Sequence, residues 1–197
     1  MINTAKAGRE LRRLHQQVSA LVSNLYMPLL VRRHDRTKAA LIRRTPGRIP
    51  AGPDRCIFLL YQPGGSAPPT LVTCRHLAAK GLSVSVVSNA PLSDVDRAAL
   101  AHEVHTVIER PNFGYDFGGY RDGLLEMIDA DDLPDTLLML NDSIWFPIFP
   151  DADLIDRLRA TGADFCGPVL SSPVHHADQG HLQSYMLFFR RSALTKP

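Results

Sequence analysis

Cysteine is scarce in this 197-residue chain, and the three present, Cys56, Cys74 and Cys166, are widely spaced and include no Cys-x-x-Cys pair. An odd, scattered set argues against a disulfide framework and against a zinc knuckle, and a reducing cytoplasm is the compartment that fits it. No apolar run approaches the roughly 18 residues a membrane span needs, and the first residues lack an apolar core followed by a small-residue cleavage site. The chain is therefore expected neither to cross a membrane nor to be secreted. Neither the Gly-x-Gly-x-x-Gly spacing of a dinucleotide site nor the lysine-bearing phosphate loop is present.

Acidic residues are nearly missing from the first 55 positions, which carry twelve Lys and Arg against Glu10, Asp35 and Asp54. The remaining residues hold ten bases and seventeen acids, so a basic arm precedes an acidic domain. A solvated arginine run often does nothing specific; its functional reading is peripheral contact with an anionic membrane surface, on the inner face if the compartment is the cytoplasm. Nucleic acid is not the expected partner, because Tyr26 is the sole aromatic among these bases.

Apolar residues at helical spacing (Leu11, Leu14, Val18, Leu21, Val22, Leu25) predict an amphipathic helix from Glu10 to Leu30, ended or kinked by Pro28. Residues 31–55, rich in Arg, Pro and Gly, read as a linker with room for one short helix, and the domain boundary is expected near Pro53. This divides the chain into a basic helical arm and linker, 1–53, and a domain, 54–197.

The domain alternates. Apolar runs at 56–62, 82–89, 105–110 and 136–142 have strand length, and helical patterns lie between them at 68–81, closed by Gly81, at 93–103, capped by Ser93, and at 120–130. That order implies an α/β fold with a mostly parallel sheet and helices on both faces, the four strands sharing one sheet. Ligands in such sheets collect at the carboxyl ends of the strands. Here those ends read "YQPGGS", "SNAP", "RPNFGYDFGGY" and "LNDSIWFP".

Two of these ends stand out. In "NFGYDFGGYRDG" (Asn112–Gly123) four glycines, four rings and two aspartates share twelve residues. The structural reading has Gly114 and Gly118 or Gly119 at positive φ, the rings in the core and Asp116 as a helix cap. The functional reading has a backbone that a ligand approaches closely; spacing alone does not choose. In "LNDSIWF", Asn141, Asp142 and Ser143 emerge from an apolar strand, where a carboxylate can hold a divalent cation against a diphosphate, although Asn-Asp-Ser also suits a plain turn.

The segments "RPNFGYDFGGYRDGL", "LLMLNDSIWFPI", "ADFCGPVLSS" and "HLQSYMLFFRRSAL" occur together in an order and spacing that resembles the rhamnan synthesis protein F family, glycosyltransferase-like proteins of bacterial surface polysaccharide assembly. The resemblance covers about residues 55–195. It implies a GT-A-like, Rossmann-type fold and transfer of a sugar, rhamnose in the first instance, from a nucleotide-diphosphate donor to a surface polysaccharide or lipid-linked glycan. A second reading is a non-catalytic glycan- or partner-binding module derived from such a transferase. It further implies that Asp142 stands where related transferases carry Asp-x-Asp and meets a Mg²⁺ or Mn²⁺ ion, with one carboxylate in place of two. Asn112, Gly114, Tyr115 and Asp116, with Asn141 and Ser143, would flank the donor. A further aromatic and helical segment is expected beyond "ALTKP".

In "SPVHHADQGHLQSY" the adjacent His175 and His176 point apart in extended chain, which disfavours a three-histidine site. The resemblance makes His181 the second metal candidate beside Asp142. Gln183, Ser184 and Tyr185 would line the acceptor side, although strand alternation turns Ser184 away from its neighbours. An inverting transfer wants a carboxylate at the acceptor hydroxyl, and Asp178 is the candidate base.

Overall fold

The computed structural model describes residues 25–65, 68–172 and 180–195, and the chain forms two compact units, 1–41 and 42–197. In the first unit residues 25–41 are helical (α1), Pro28 included, so this proline does not end the helix. The helix runs instead to Leu41 through "RTKAAL", a stretch dominated by good helix formers that the arginine-rich composition had made look like linker. The part of the expected helix before residue 25 lies outside the described residues.

In the second unit the elements run β1 (Arg43–Pro46), β2 (Asp54–Leu60), α2 (Pro68–Ala79), β3 (Ser83–Ser88), α3 (Asp94–Glu103), β4 (Thr106–Glu109), α4 (Tyr115–Asp129), β5 (Thr136–Asn141), α5 (Leu154–Ala160), β6 (Phe165–Cys166), β7 (Leu170–Ser171), β8 (His181–Leu182), β9 (Met186–Arg190) and α6 (Arg191–Leu194). Seven strands form one sheet in the order β1-β4-β3-β2-β5-β9-β6, and β7 pairs with β8 separately. The four strands expected from the sequence form its centre and are parallel, while β1, β9 and β6 add antiparallel pairs at the flanks, making the sheet mixed. Strand β1 comes from the segment read as linker.

Both faces of β2 are covered, which is why it reads as an unbroken apolar run. Cys56, Phe58 and Leu60 join the core that also holds Leu77, Leu100 and Ile155 of α2, α3 and α5; Ile57 and Leu59 join the core that holds Tyr120 and Met127 of α4. The expected helix ends are present: Ser93 Oγ accepts the Asp96 N–H at 3.0 Å, and Gly81 takes a φ of 79°.

Chain order and strand order together place the site. From β2 the chain steps outward to β3 and β4, then returns across the sheet to β5 on the other side of β2. The crevice at the carboxyl ends of β2 and β5, where the direction of winding reverses, is where doubly wound sheets bind ligands.

Two features tie β4 to its surroundings. Glu109 at its end is buried with Arg97 of α3: Arg97 Nε donates to Oε2 at 2.5 Å, and the Leu92 N–H donates to Oε1 at 2.9 Å. Burial alone would raise the Glu109 pKa, but these donors hold it below the usual carboxylate value. The ionised pair therefore contributes stability above the ordinary glutamate range, about 4.3, and that contribution fades as pH falls through the depressed folded value. Glu109→Gln is expected to lower stability at pH 7, with the gap to the parent chain narrowing below about pH 4; urea titrations at the two pH values check this.

The second feature is α4. It begins at Tyr115, five residues earlier than the pattern suggested, with Gly114 as N-cap in the left-handed region at φ 74°. Gly118 and Gly119 are consequently helical, and their role is close approach: a Cβ on Gly118 would stand 2.0 Å from Phe113 O, and one on Gly119 2.2 Å from Leu59 Cδ1. At Gly118 the obstacle is a backbone carbonyl that cannot rotate away. Gly118→Ala is expected to cost roughly 1–3 kcal/mol despite alanine's better helix propensity, seen as a lowered denaturation midpoint.

Candidate functional site

The glycine-rich turn is held from below by a buried ion pair. Arg110, the first residue after β4, donates from Nε to Asp122 Oδ2 of α4 at 2.6 Å, from Nη1 to Asn89 Oδ1 at 2.5 Å and from Nη2 to Phe113 O at 2.6 Å. Both charged side chains are almost completely buried, 0% and 1% exposed. Asn89, from the "SNAP" end of β3, uses its other side-chain group to donate to Tyr115 O at 3.3 Å. Sequence reasoning passed over Arg110, Asp122 and this role of Asn89. The available signal was a charge at each end of a motif whose middle is glycine.

So supported, α4 lies across β2 and β3, with Gly119 on Leu59 and Gly123 on Ile57 and Val87. This carries its first turn over to the end of β5. Asn141 Nδ2 donates to Asp116 Oδ2 at 2.8 Å, and Asn141 Oδ1 accepts from the backbone N–H of Ser143 at 3.2 Å and from its hydroxyl. Strands β4 and β5 are not adjacent, because β3 and β2 intervene. The helix, not strand adjacency, brings Asp116 to Asn141. Asp116 makes no side-chain cap; its place in the first turn, where acids favour the helix dipole, and its bond to Asn141 occupy it instead.

Asp142 leaves β5 at the switch point. Its Oδ2 accepts the Tyr61 N–H at 3.0 Å, its own N–H donates to Leu59 O at 3.1 Å, and among the described residues Oδ1 has no hydrogen-bond partner. Burial first, and then the charges of Asp116, Cys56 and Asp142, push the Tyr120 hydroxyl well above its ordinary pKa, so that it stays a neutral donor, here to Ser184 O at 3.2 Å.

A cleft of about 470 Å³ opens over Asp142, walled by Gln62, the start of α2 at Pro68–Thr70, and Ile144–Pro147. Thr73 of α2 donates to Phe146 O and fastens the two walls. A second cleft of about 470 Å³ lies on the other side of the Trp145 loop and includes Tyr185 and Val169. Trp145, Ile148 and Phe149 on that loop are exposed, Trp145 by 86%.

The remaining sequence candidates divide. Asn112, Gly114 and Tyr115 are exposed on the turn, and Tyr115 (75% exposed) and Phe117 (66%) face solvent instead of filling a core. Tyr115 holds a positive φ of 51°, a conformation that costs a ring-bearing residue energy and that the Asn89 bond to its carbonyl helps to retain. Tyr185 O accepts the Asn141 N–H at 3.1 Å, which joins the "HLQSY" segment to the site, while the Gln183 backbone N–H bonds Val169 O at 3.0 Å. His181 is exposed on β8, opposite Ser171 of β7. Asp178, His175 and His176 lie outside the described residues. Among the described residues no three His, Cys, Asp or Glu form a set able to hold a metal ion.

Comparison with known proteins supplies the context for this geometry. A family model described as rhamnan synthesis protein F matches residues 84–196, more than half of the chain. The chain belongs to the rhamnan synthesis protein F family. Membership associates it with rhamnan and polysaccharide synthesis. It is 41% identical over 191 residues to an uncharacterized protein, y4gN, of Sinorhizobium fredii, a match that takes in 96% of this chain and 49% of that one. It is also 39% identical over 84 residues to the virulence protein VirA of Vibrio anguillarum, 42% of this chain and 25% of that protein. The chain thus spans about half the length, or less, of these curated relatives. No solved structure matches it. The family match takes in the whole glycine-rich turn, Asn141–Ser143 and "HLQSY", so every described element of the site except the ends of β2 and the start of α2 falls inside it. No described helix of this family member is long and apolar enough to cross a membrane.

The Arg110–Asp122 pair generates a stability prediction. Asp122→Asn should leave the guanidinium charge buried and uncompensated at a cost of roughly 3 kcal/mol, and the double change Arg110→Met with Asp122→Leu should recover part of that loss. Urea denaturation of the three chains measures both.

Proposed function

We propose that this chain carries the donor-binding part of a glycosyltransferase that moves a sugar, rhamnose in the first instance, from a nucleotide diphosphate to a surface polysaccharide or lipid-linked glycan. The observation that carries the reading is Asp142: a carboxylate at the topological switch point, facing a cleft, in a member of the rhamnan synthesis protein F family. In the transfer the bond from the sugar's anomeric carbon to the diphosphate oxygen breaks, a bond to an acceptor hydroxyl oxygen forms, and that hydroxyl's proton passes to a base. Negative charge gathers on the leaving diphosphate, and the site is read from that need.

A Mg²⁺ or Mn²⁺ ion fits this arrangement through Asp142, because small divalent ions commonly take one or two carboxylates and complete their shell with substrate phosphates and water. When bound, such an ion neutralises the leaving diphosphate. Tyr61 N–H orients the carboxylate from one oxygen, and Asn141 holds Asp116 beside it without bringing a second ligand to Asp142. Asp116, Asn112 and the Tyr115 ring, exposed or half-exposed on the glycine-rich turn, are assigned to hydroxyls and an apolar face of the donor. A non-catalytic module that binds glycan or a partner enzyme is the second reading, favoured by the lone Asp142 carboxylate in "NDS" and by the lack of a three-ligand cluster among the described residues.

Calorimetry with a panel of nucleotide sugars, with and without Mg²⁺ or Mn²⁺, separates the two. The transferase reading expects one donor to bind with metal-dependent affinity, and Asp142→Asn to remove at least ten-fold in affinity while shifting the melting temperature by no more than a few degrees. Binding of no nucleotide sugar by a folded chain would favour the module. Unfolding of Asp142→Asn by many degrees, or full binding by it, would withdraw Asp142 from the site.

A further inference from the structure

Helix α1 presents a surface that the donor site does not use. Leu25, Leu29, Arg32 and Arg36 follow one another at intervals of four, three and four residues, which places them in a single row along one helix face. All four are exposed, as are Tyr26 and Arg33 on the flank of the same row. The opposite side, Leu30, Val31 and His34, is less exposed. The exposed row is thus apolar at one end and cationic at the other. Among the described residues Arg32, Arg33 and Arg36 form no ion pair, so their charge faces outward uncompensated.

We propose that this face of α1 docks on an anionic lipid bilayer surface, Leu25, Tyr26 and Leu29 entering the headgroup boundary and Arg32, Arg33 and Arg36 meeting lipid phosphates. Charge complementarity selects the occupant. Eight bases against two acids in residues 1–41 concentrate positive charge on the unit that bears the row, while residues 42–197, with fourteen bases against eighteen acids, are net acidic and are repelled by the same surface. A helix with exposed leucine and tyrosine beside arginine on one face matches the interfacial arrangement, in which apolar side chains seat at the acyl boundary and guanidinium groups remain among the phosphates. A second copy of the chain fits less well, since pairing identical faces would bring arginine rows of like sign together or set them against leucines.

The test is vesicle co-sedimentation of the full chain at 0.1 M salt, using phosphatidylcholine vesicles with and without about 30% phosphatidylglycerol. The proposal expects binding to the anionic vesicles at least ten-fold stronger than to the neutral ones, lost at 0.5 M salt as screening sets in. It expects a comparable loss in two variants, Arg32→Gln with Arg33→Gln and Arg36→Gln, and Leu25→Ser with Leu29→Ser, each checked for an unchanged circular dichroism spectrum. The salt response keeps the proposal testable should a variant misfold. Equal binding to both vesicle types, no binding to either, or binding that neither salt nor the arginine change weakens would overturn it. So would self-association of the chain, seen by light scattering, that the leucine variant abolishes in the absence of vesicle binding.

Discussion

Arg110 and Asp122 meet inside the protein with almost no contact with water, and most of what is distinctive about the molecule hangs on that meeting. Taking two charges out of solvent is costly unless every donor is used, and here Arg110 spends three of its nitrogens on Asp122, Asn89 and the carbonyl of Phe113. The result is a clamp with one jaw on the end of β4, one on the end of β3 and one on α4. It fixes the path of the chain through Asn112, Phe113 and Gly114 before the helix starts.

With that path fixed, the glycines explain themselves as clearances. Gly114 turns the chain through the left-handed region, Gly118 passes Phe113 O, and Gly119 and Gly123 let the helix settle on Leu59, Ile57 and Val87. A helix with ordinary side chains at those positions would ride higher on the sheet. The low seat is what allows Asp116 to reach across two strands to Asn141. The acid at the start of α4 and the acid at the end of β5 come to one neighbourhood through a helix, although their strands are not adjacent.

The same turn leaves its rings outside. Tyr115 and Phe117 are exposed while Tyr120, one helical turn on, is buried with its hydroxyl tied to Ser184 O. The helix sorts its aromatics by face: Tyr120 on the inner side joins the core, and Tyr115 and Phe117 on the outer side, like Trp145 and Phe149 on the loop after β5, face solvent. Outward-facing aromatics beside a carboxylate-bearing crevice are chemically suited to sugars and nucleotides, which offer both apolar faces and hydroxyls.

The sequence by itself determined the alternation of strands and helices, the parallel centre of the sheet, the Ser93 and Gly81 helix ends and the place of Asp142 at a strand terminus. These follow from hydrophobic period and local turn chemistry, which act over a few residues and are written in order along the chain. It also carried the family resemblance, in four segments whose order survives without knowledge of their contacts. The tertiary structure decided the rest. Whether Gly118 and Gly119 sit in a turn or a helix depends on what packs against them, and Leu59 lies 60 residues away. That Arg110 pairs with Asp122, that Asn141 holds Asp116, and that β1 of the arginine-rich stretch joins the sheet at its edge are facts of partners distant in sequence. Charge at the ends of a motif looks like solvated surface until a fold buries it, because burial is a property of neighbours that local pattern does not name.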